Sequence, residues 1–339
     1  MMTDAVALLG ILWIGLTLYT VLGGADFGAG VWHLVTGRKP GGPYDPARER
    51  DLLEHTIGPV WEANHVWLIF VITVFWTAFP SAFGAFAATM YIPLTIAALG
   101  IIGRGAAFAF RKATDVGWQF KAYGLAFGIS SVLTPFVLGM IAGGVASGRV
   151  PPVIGAGDII WAWTNPTSIY TGLLAVGSCA YLAAVYLSRD AEREGEPALA
   201  EAFRRRALGT GIGLGVVAFA GLAILRTDAP QLVHGITHRG LPIVLLSLVC
   251  GAVSLILLAR RRLAAARVVA AATVGTLLWG WGAAQYPILL YPDLTIDRAA
   301  AYPTVLRTTL GVIAFSAVLL VPSIAWLLGM FQRREPAGE

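Results

Sequence analysis

Ile57-Gly-Pro-Val-Trp61-Glu62-Ala-Asn64-His65-Val-Trp67-Leu-Ile69 opens a long apolar run that closes near Phe79. The run is long enough to span a bilayer, so Glu62, Asn64 and His65 fall at or just inside the mouth of a membrane helix. A carboxylate in hydrocarbon costs several kcal/mol, and by default it marks function. Trp61 and Trp67 flank the polar trio, as amphipathic rings do at a membrane boundary. Helical spacing sets Glu62 and His65 on one face and Trp61 and His65 on a neighbouring one. A titratable pair at a membrane mouth suits proton traffic. It equally suits a charged helix start held by the positive end of the helix.

Composition extends this reading to the whole chain. Hydrophobic residues make up 57% and charged residues 13%, with a mean hydropathy of +0.73. Soluble domains average about 25% charged residues, so the pattern is that of an all-α polytopic membrane protein, a single transmembrane domain over 1–339. The first apolar stretch lacks a basic lead and is long enough to span, which predicts a retained helix. Nine spans are predicted, at about 5–35, 60–79, 82–103, 122–145, 162–187, 207–225, 241–259, 266–290 and 307–330. The longest connectors, 36–59 and 188–206, read as short surface helices. Arg48 to Glu54 is charged on one face and apolar on the other.

Basic residues set the expected orientation. With the N-terminus outside, the outer connectors keep only Arg149, Arg226, Arg239, Arg298 and Arg307, and the other nineteen of the 24 Lys and Arg fall inside. Every inner connector is then basic, which predicts N-out and C-in. The net charge of +5 is spread over these connectors and does not argue for nucleic acid. Cys179 and Cys250 both lie in apolar runs and read as small buried hydrophobes.

Asp26 is the second intramembrane acid, in Gly23-Gly-Ala-Asp26-Phe-Gly-Ala-Gly30 near the inner end of the first span. Gly23, Asp26 and Gly30 share a face, so another helix can approach closely there. With Glu62 entering from the same side, the two acids fit one proton entry route. Pairing of Asp26 with Arg38 or Arg104 is the structural alternative. Arg104 is expected to snorkel to the inner surface. His33 and His65 lie at similar depth and could ligate a haem, although ordinary interfacial histidines look the same. His234 and His238 could bind a metal if helical, but with no third ligand nearby a solvated loop is expected. Trp161, Trp163, Trp279 and Trp281 fit an aromatic belt.

Taken together, Gly23–Gly30, Ile57–Ile69, Ile101-Ile-Gly-Arg-Gly105 and Val321-Pro-Ser-Ile-Ala-Trp-Leu-Leu-Gly-Met-Phe331 resemble subunit II of cytochrome bd-type quinol oxidases, over essentially the full chain. The resemblance implies two four-helix bundles plus one peripheral helix in the bacterial cytoplasmic membrane. It implies a haem-free subunit that supports assembly with haem-bearing subunit I, where quinol is oxidised and dioxygen reduced to water. Haem b and haem d are expected in that partner, with no catalytic residue on this chain. A structural quinone, a small third subunit and membrane lipids are the other expected companions. Asp26 and Glu62 fall on acidic positions of the family, which, with Asn64 and His65, implies a cytoplasmic proton path. Many members carry a further acid one turn before Asp26, where this chain has Leu22. Two other classes fit the bare residues: an ion-coupled transporter using the two acids, and a cytochrome b using His33 and His65.

Overall fold

The computed structural model describes residues 2–35, 44–57, 61–114 and 116–332; at 46, 54–57, 61, 62, 112 and several positions beyond 320 it describes the backbone alone. The first span is a continuous helical rod of α1 (Met2–Leu18), a π-helical turn (Tyr19–Gly23) and α2 (Gly24–Val35). Then come α3 (Pro46–Ile57), α4 (Trp61–Ala78), α5 (Pro80–Lys112), α6 (Gly117–Ala146), the short α7 (Trp161–Thr164), α8 (Pro166–Arg193) and α9 (Pro197–Asp228). Next, α10 (Pro230–Gly235) passes through a second π turn (Ile236–Gly240) into α11 (Leu241–Ala259), and α12 (Leu263–Gln285) follows. A hairpin of β1 (Ile288–Leu290) and β2 (Leu294–Thr295), the short α13 (Ile296–Ala299) and α14 (Pro303–Gln332) complete the chain.

Among the described residues eight of these stretches are long and apolar enough to cross a membrane, and α4 is a shorter apolar helix, apolar over Ala63–Ala78. Proline writes many of the boundaries. Pro80, Pro166, Pro197 and Pro230 each sit in the first turn of a helix, where the missing N–H costs nothing. Asn165 caps α8 by accepting the Ser168 N–H over 2.9 Å. Asp158 accepts the N–H groups of Ile160 and Trp161 over 2.8 and 2.7 Å, starting α7 and holding its own carboxyl below the usual range.

Two expectations are corrected here. The segment 188–206 is not a surface helix: α8 and α9 run on to Arg193 and from Pro197, leaving a turn at Gly195 with φ +74°. At 1.5 Å per residue the 32 residues of α9 exceed a hydrocarbon core of about 30 Å, so its polar end continues the rod beyond the apolar part. The eighth span stops at Gln285 rather than 290, because Pro287 and Pro292 introduce the hairpin. The amphipathic helix expected within 36–59 is present as α3, with Glu49, Leu52 and Leu53 buried; residues 36–43 and 58–60 lie outside the described residues.

The two largest apolar cores among the described residues divide the helices between them. One joins α2 and α3 to α8, α9, α11 and α12 through Trp32, Leu52, Leu182, Phe203 and Leu258. The other joins α1, α4, α5 and α6 to the hairpin, α13 and α14 through Leu8, Phe79, Met90, Leu290 and Leu306. Polar clasps sit at both ends. Arg206 of α9 pairs with the buried Glu49 of α3, donates to Tyr44 Oη over 2.9 Å, and lies over the Trp32 and Phe203 rings. At the other end Arg149 and Asp228 form a two-pronged pair at 2.5 and 3.2 Å.

Candidate functional site

Helix α2 carries Asp26 into the middle of the helices because its glycines allow neighbours against its backbone. A Cβ at Gly28 would lie 1.9 Å from the Cys179 carbonyl oxygen of α8, and one at Gly30 would lie 2.1 Å from Ser131 Oγ of α6. Neither position tolerates a side chain without displacing a neighbour. The predicted Gly23/Asp26/Gly30 face therefore packs on α4 and α6, since Gly23 meets Asn64 and Gly30 meets Ser131 and Phe127. The tightest approach, Gly28 on α8, belongs to the opposite side, and the glycine pattern did not single it out.

Asp26 is buried, at 6% exposure. Its Oδ2 accepts a 2.5 Å hydrogen bond from the Asn64 amide, which α4 brings in from 38 residues away. Asn64 is itself buried, so the bond is made away from solvent, where leaving either group unmatched is costly. His65, the next residue, lies between rings: 5.9 Å from Phe27 and 6.1 Å from Tyr19. The structure thus brings three of the four predicted site residues to one place. The fourth, Glu62, starts the same helix two residues before Asn64, and its side chain lies outside the described residues.

Arg104 is the residue that sequence reasoning misplaced. It does not snorkel: it is 1% exposed, eight residues inside the end of α5 at Lys112. Its Nε donates to Ser131 Oγ over 3.1 Å and its NH2 group to the Asp26 backbone carbonyl over 3.1 Å. Its guanidinium lies 4.9 Å from the Phe27 ring centre and 5.1 Å from that of Phe127. The fork of planar donors and the two aromatic faces suit arginine rather than lysine. A basic pair follows at Arg111-Lys112, so the helix boundary was legible there and Arg104 could have been placed inside it. The Asp26–Arg104 alternative is thus met in a different form, through the backbone carbonyl; Arg38 lies outside the described residues.

His33 points elsewhere. Its Nε2 accepts from Arg111 NH1 over 3.2 Å, since a guanidinium can only donate. A haem axial ligand needs that lone pair for iron, and at His33 it faces Arg111 instead, so His33 does not fit haem ligation. His234 and His238 are helical, contrary to the expected loop, with ring centres 4.0 Å apart. Among the described residues no three His, Cys, Asp or Glu side chains gather as a metal site. Cys179 is buried, Cys250 half-buried, and both are free thiols. Trp163 donates to the Ile159 carbonyl, Trp279 to Thr17 Oγ1 and Trp281 to Gln285 Oε1, so three of the four belt tryptophans also bond polar groups of the protein.

Fold and site define a multi-pass helical membrane protein with an acid, an amide and a buried guanidinium clustered where α2, α4, α5 and α6 meet. The chain belongs to the cytochrome bd terminal oxidase subunit II family, which it matches over residues 5–331. It is 21% identical to the putative cytochrome bd menaquinol oxidase subunit II of Bacillus subtilis over 98% of this chain and 96% of that protein. A stretch of 134 residues, 40% of this chain and 37% of the relative, is 34% identical to cytochrome bd ubiquinol oxidase subunit 2 of the same organism. The fold superposes on a chain of the bd oxidase from Geobacillus thermodenitrificans with a TM-score of 0.75, covering 98% of this chain and all of that one at 23% identity. The protein is therefore a multi-pass component of a bacterial cytoplasmic membrane.

Proposed function

We propose that this chain is the haem-free subunit II of an oxidase that takes electrons from membrane quinol and reduces dioxygen to water, and that it carries protons from the cytoplasmic side into the membrane through Asp26 and Glu62. Each dioxygen consumes four protons as it receives four electrons, and water does not cross hydrocarbon freely, so the protons need a polar route. The observation that carries the reading is the Asp26 carboxylate, buried between helices and bonded to Asn64. A carboxylate kept in such a place at such cost is retained for use. Asn64 and His65 line the same place, and Arg104 holds the α2 backbone beside the acid. In this reading the haems b and d, the quinol site and the oxygen chemistry belong to subunit I, and a small third subunit and a structural quinone complete the assembly.

The proposed topology is nine spans with the N-terminus outside, counting α4 as the second. It groups the spans into two four-helix bundles and a peripheral α14. The basic residues at the ends of α5 and α8 and in the α11–α12 turn, Arg260 to Arg262, support it through the positive-inside rule. Membership of an oxidase family also favours this reading over an ion-coupled transporter.

The test is recovery of the tagged chain from membranes, with haem analysis and quinol-dependent oxygen uptake. A haem-bearing second polypeptide and quinol-driven oxygen consumption are expected. A chain that purifies without such a partner, or carries its own stoichiometric haem, would refute the proposal.

A further inference from the structure

Tyr19 lies on the first span, one ring away from His65. It sits in the π turn Tyr19–Gly23, between α1 and α2. Single π turns inside α-helices recur at functional sites because they re-aim side chains at the cost of regular hydrogen bonding. Here Tyr19 is 6% exposed, packed with Phe27 and Cys179, while Leu22 on the same turn is 39% exposed. Tyr19 therefore faces the interior of the helices and Leu22 faces away. The Tyr19 hydroxyl is fully buried and has no hydrogen-bond partner among the described residues. A phenylalanine would fill the same volume without that cost, so the hydroxyl needs a partner of another kind.

The surroundings name the partner. A Cβ at Gly23 would lie 3.2 Å from the Tyr19 ring and 3.9 Å from Asn64 Cβ, so the ring and the Asn64 stem flank one glycine. The His65 ring centre lies 6.1 Å from that of Tyr19. Asp26 accepts from Asn64 and has further lone pairs to offer. A buried hydroxyl with no side-chain partner, on a ring packed near His65 and the Asn64 that bonds Asp26, is a setting in which proteins hold an internal water. We propose that the Tyr19 hydroxyl anchors a bound water joining it to the Asp26, Asn64 and His65 group, which makes Tyr19 a positioning residue of the proton path. The inference rests on the proton-path reading above. A proton would move along the water by making one O–H bond as the next breaks, with no net change at Tyr19.

The experiment compares Tyr19→Phe with Asp26→Asn in the intact oxidase complex, measuring oxygen uptake per haem against quinol concentration and pH. For Tyr19→Phe we expect full haem content, an unchanged KM for quinol, and turnover lowered about tenfold, the worth of one hydrogen bond. Its rate should also begin to fall at a lower pH than wild type, as proton delivery becomes limiting. Wild-type turnover and pH profile in Tyr19→Phe beside a slow Asp26→Asn would overturn the role of Tyr19 alone. Loss of haem from Tyr19→Phe would overturn it as well, since the hydroxyl would then serve folding. Wild-type turnover in Asp26→Asn would remove the proton path itself, and this inference with it.

Discussion

Asn64 donates its side-chain amide to Asp26 over 2.5 Å, tying α4 to α2 inside the membrane domain. The bond matches an acid and an amide that could not otherwise be buried so cheaply. It also gives the acid a fixed position at the point where α4 begins. Replacing Asn64 with Ala leaves the carboxylate without this donor, a loss of about 1–3 kcal/mol. The expected outcome is a lower melting temperature of the complex and reduced oxygen uptake per haem, with Asn64→Asp unable to restore it because two acids would then face each other. Differential scanning fluorimetry and oxygen-electrode measurements on the two variants check this.

Arg104→Lys is expected to damage the complex despite keeping the charge. The guanidinium bonds Ser131 and the Asp26 carbonyl from separate nitrogens and lies against two phenylalanine rings. A compact ammonium cannot repeat that geometry. The measurement is the yield of haem-loaded complex, which should fall sharply; yield equal to wild type would show that charge alone suffices.

Glycine positions separate by what surrounds them. Gly28→Ala places a methyl group against the Cys179 carbonyl, and Gly30→Ala places one against Ser131. Overpacking of this kind costs about 1–3 kcal/mol, and both variants should assemble poorly. Gly10 has nothing within 4 Å of an added Cβ, so Gly10→Ala should assemble normally. Co-purification with the haem-bearing partner reports all three.

Asp228→Asn tests the far end of the fold. Asp228 accepts two bonds from Arg149 and, at 2.6 and 3.0 Å, the hydroxyl and N–H of Thr167. Its side chain is 11% exposed and that of Arg149 is 23% exposed. An amide there removes the charge and turns one acceptor into a donor facing donors, costing about 1–3 kcal/mol. Melting temperature should drop while turnover per haem stays at the wild-type value, since this clasp is remote from Asp26.

The helices were legible because hydrophobic length and proline placement are local signals. The run after Glu62, the small-residue stretch around Asp26 and the proline at 80 each announce a boundary or a span. What stayed hidden was long-range. Arg104 reads as a boundary residue from hydropathy, yet its role depends on α6 bringing Ser131 and on α2 bringing Phe27. The pairing of Asp26 with Asn64 needed the crossing of two helices 38 residues apart. The π turn at Tyr19 leaves no trace in periodicity, because one extra residue in a uniformly apolar helix changes no pattern. At 188–206 the charges mark only an end of membrane, and α8 and α9 continue past it, to Arg193 and from Pro197.

We propose that Asp26 serves proton delivery rather than folding. The direct measurement is oxygen consumption of the Asp26→Asn complex with excess quinol, normalised to haem content. Asparagine keeps the shape and can still bond Asn64, so haem content should match wild type while turnover falls by about 10²-fold or more, the range for losing a proton-transfer group. Wild-type turnover at full haem content would show that Asp26 is not needed for proton delivery.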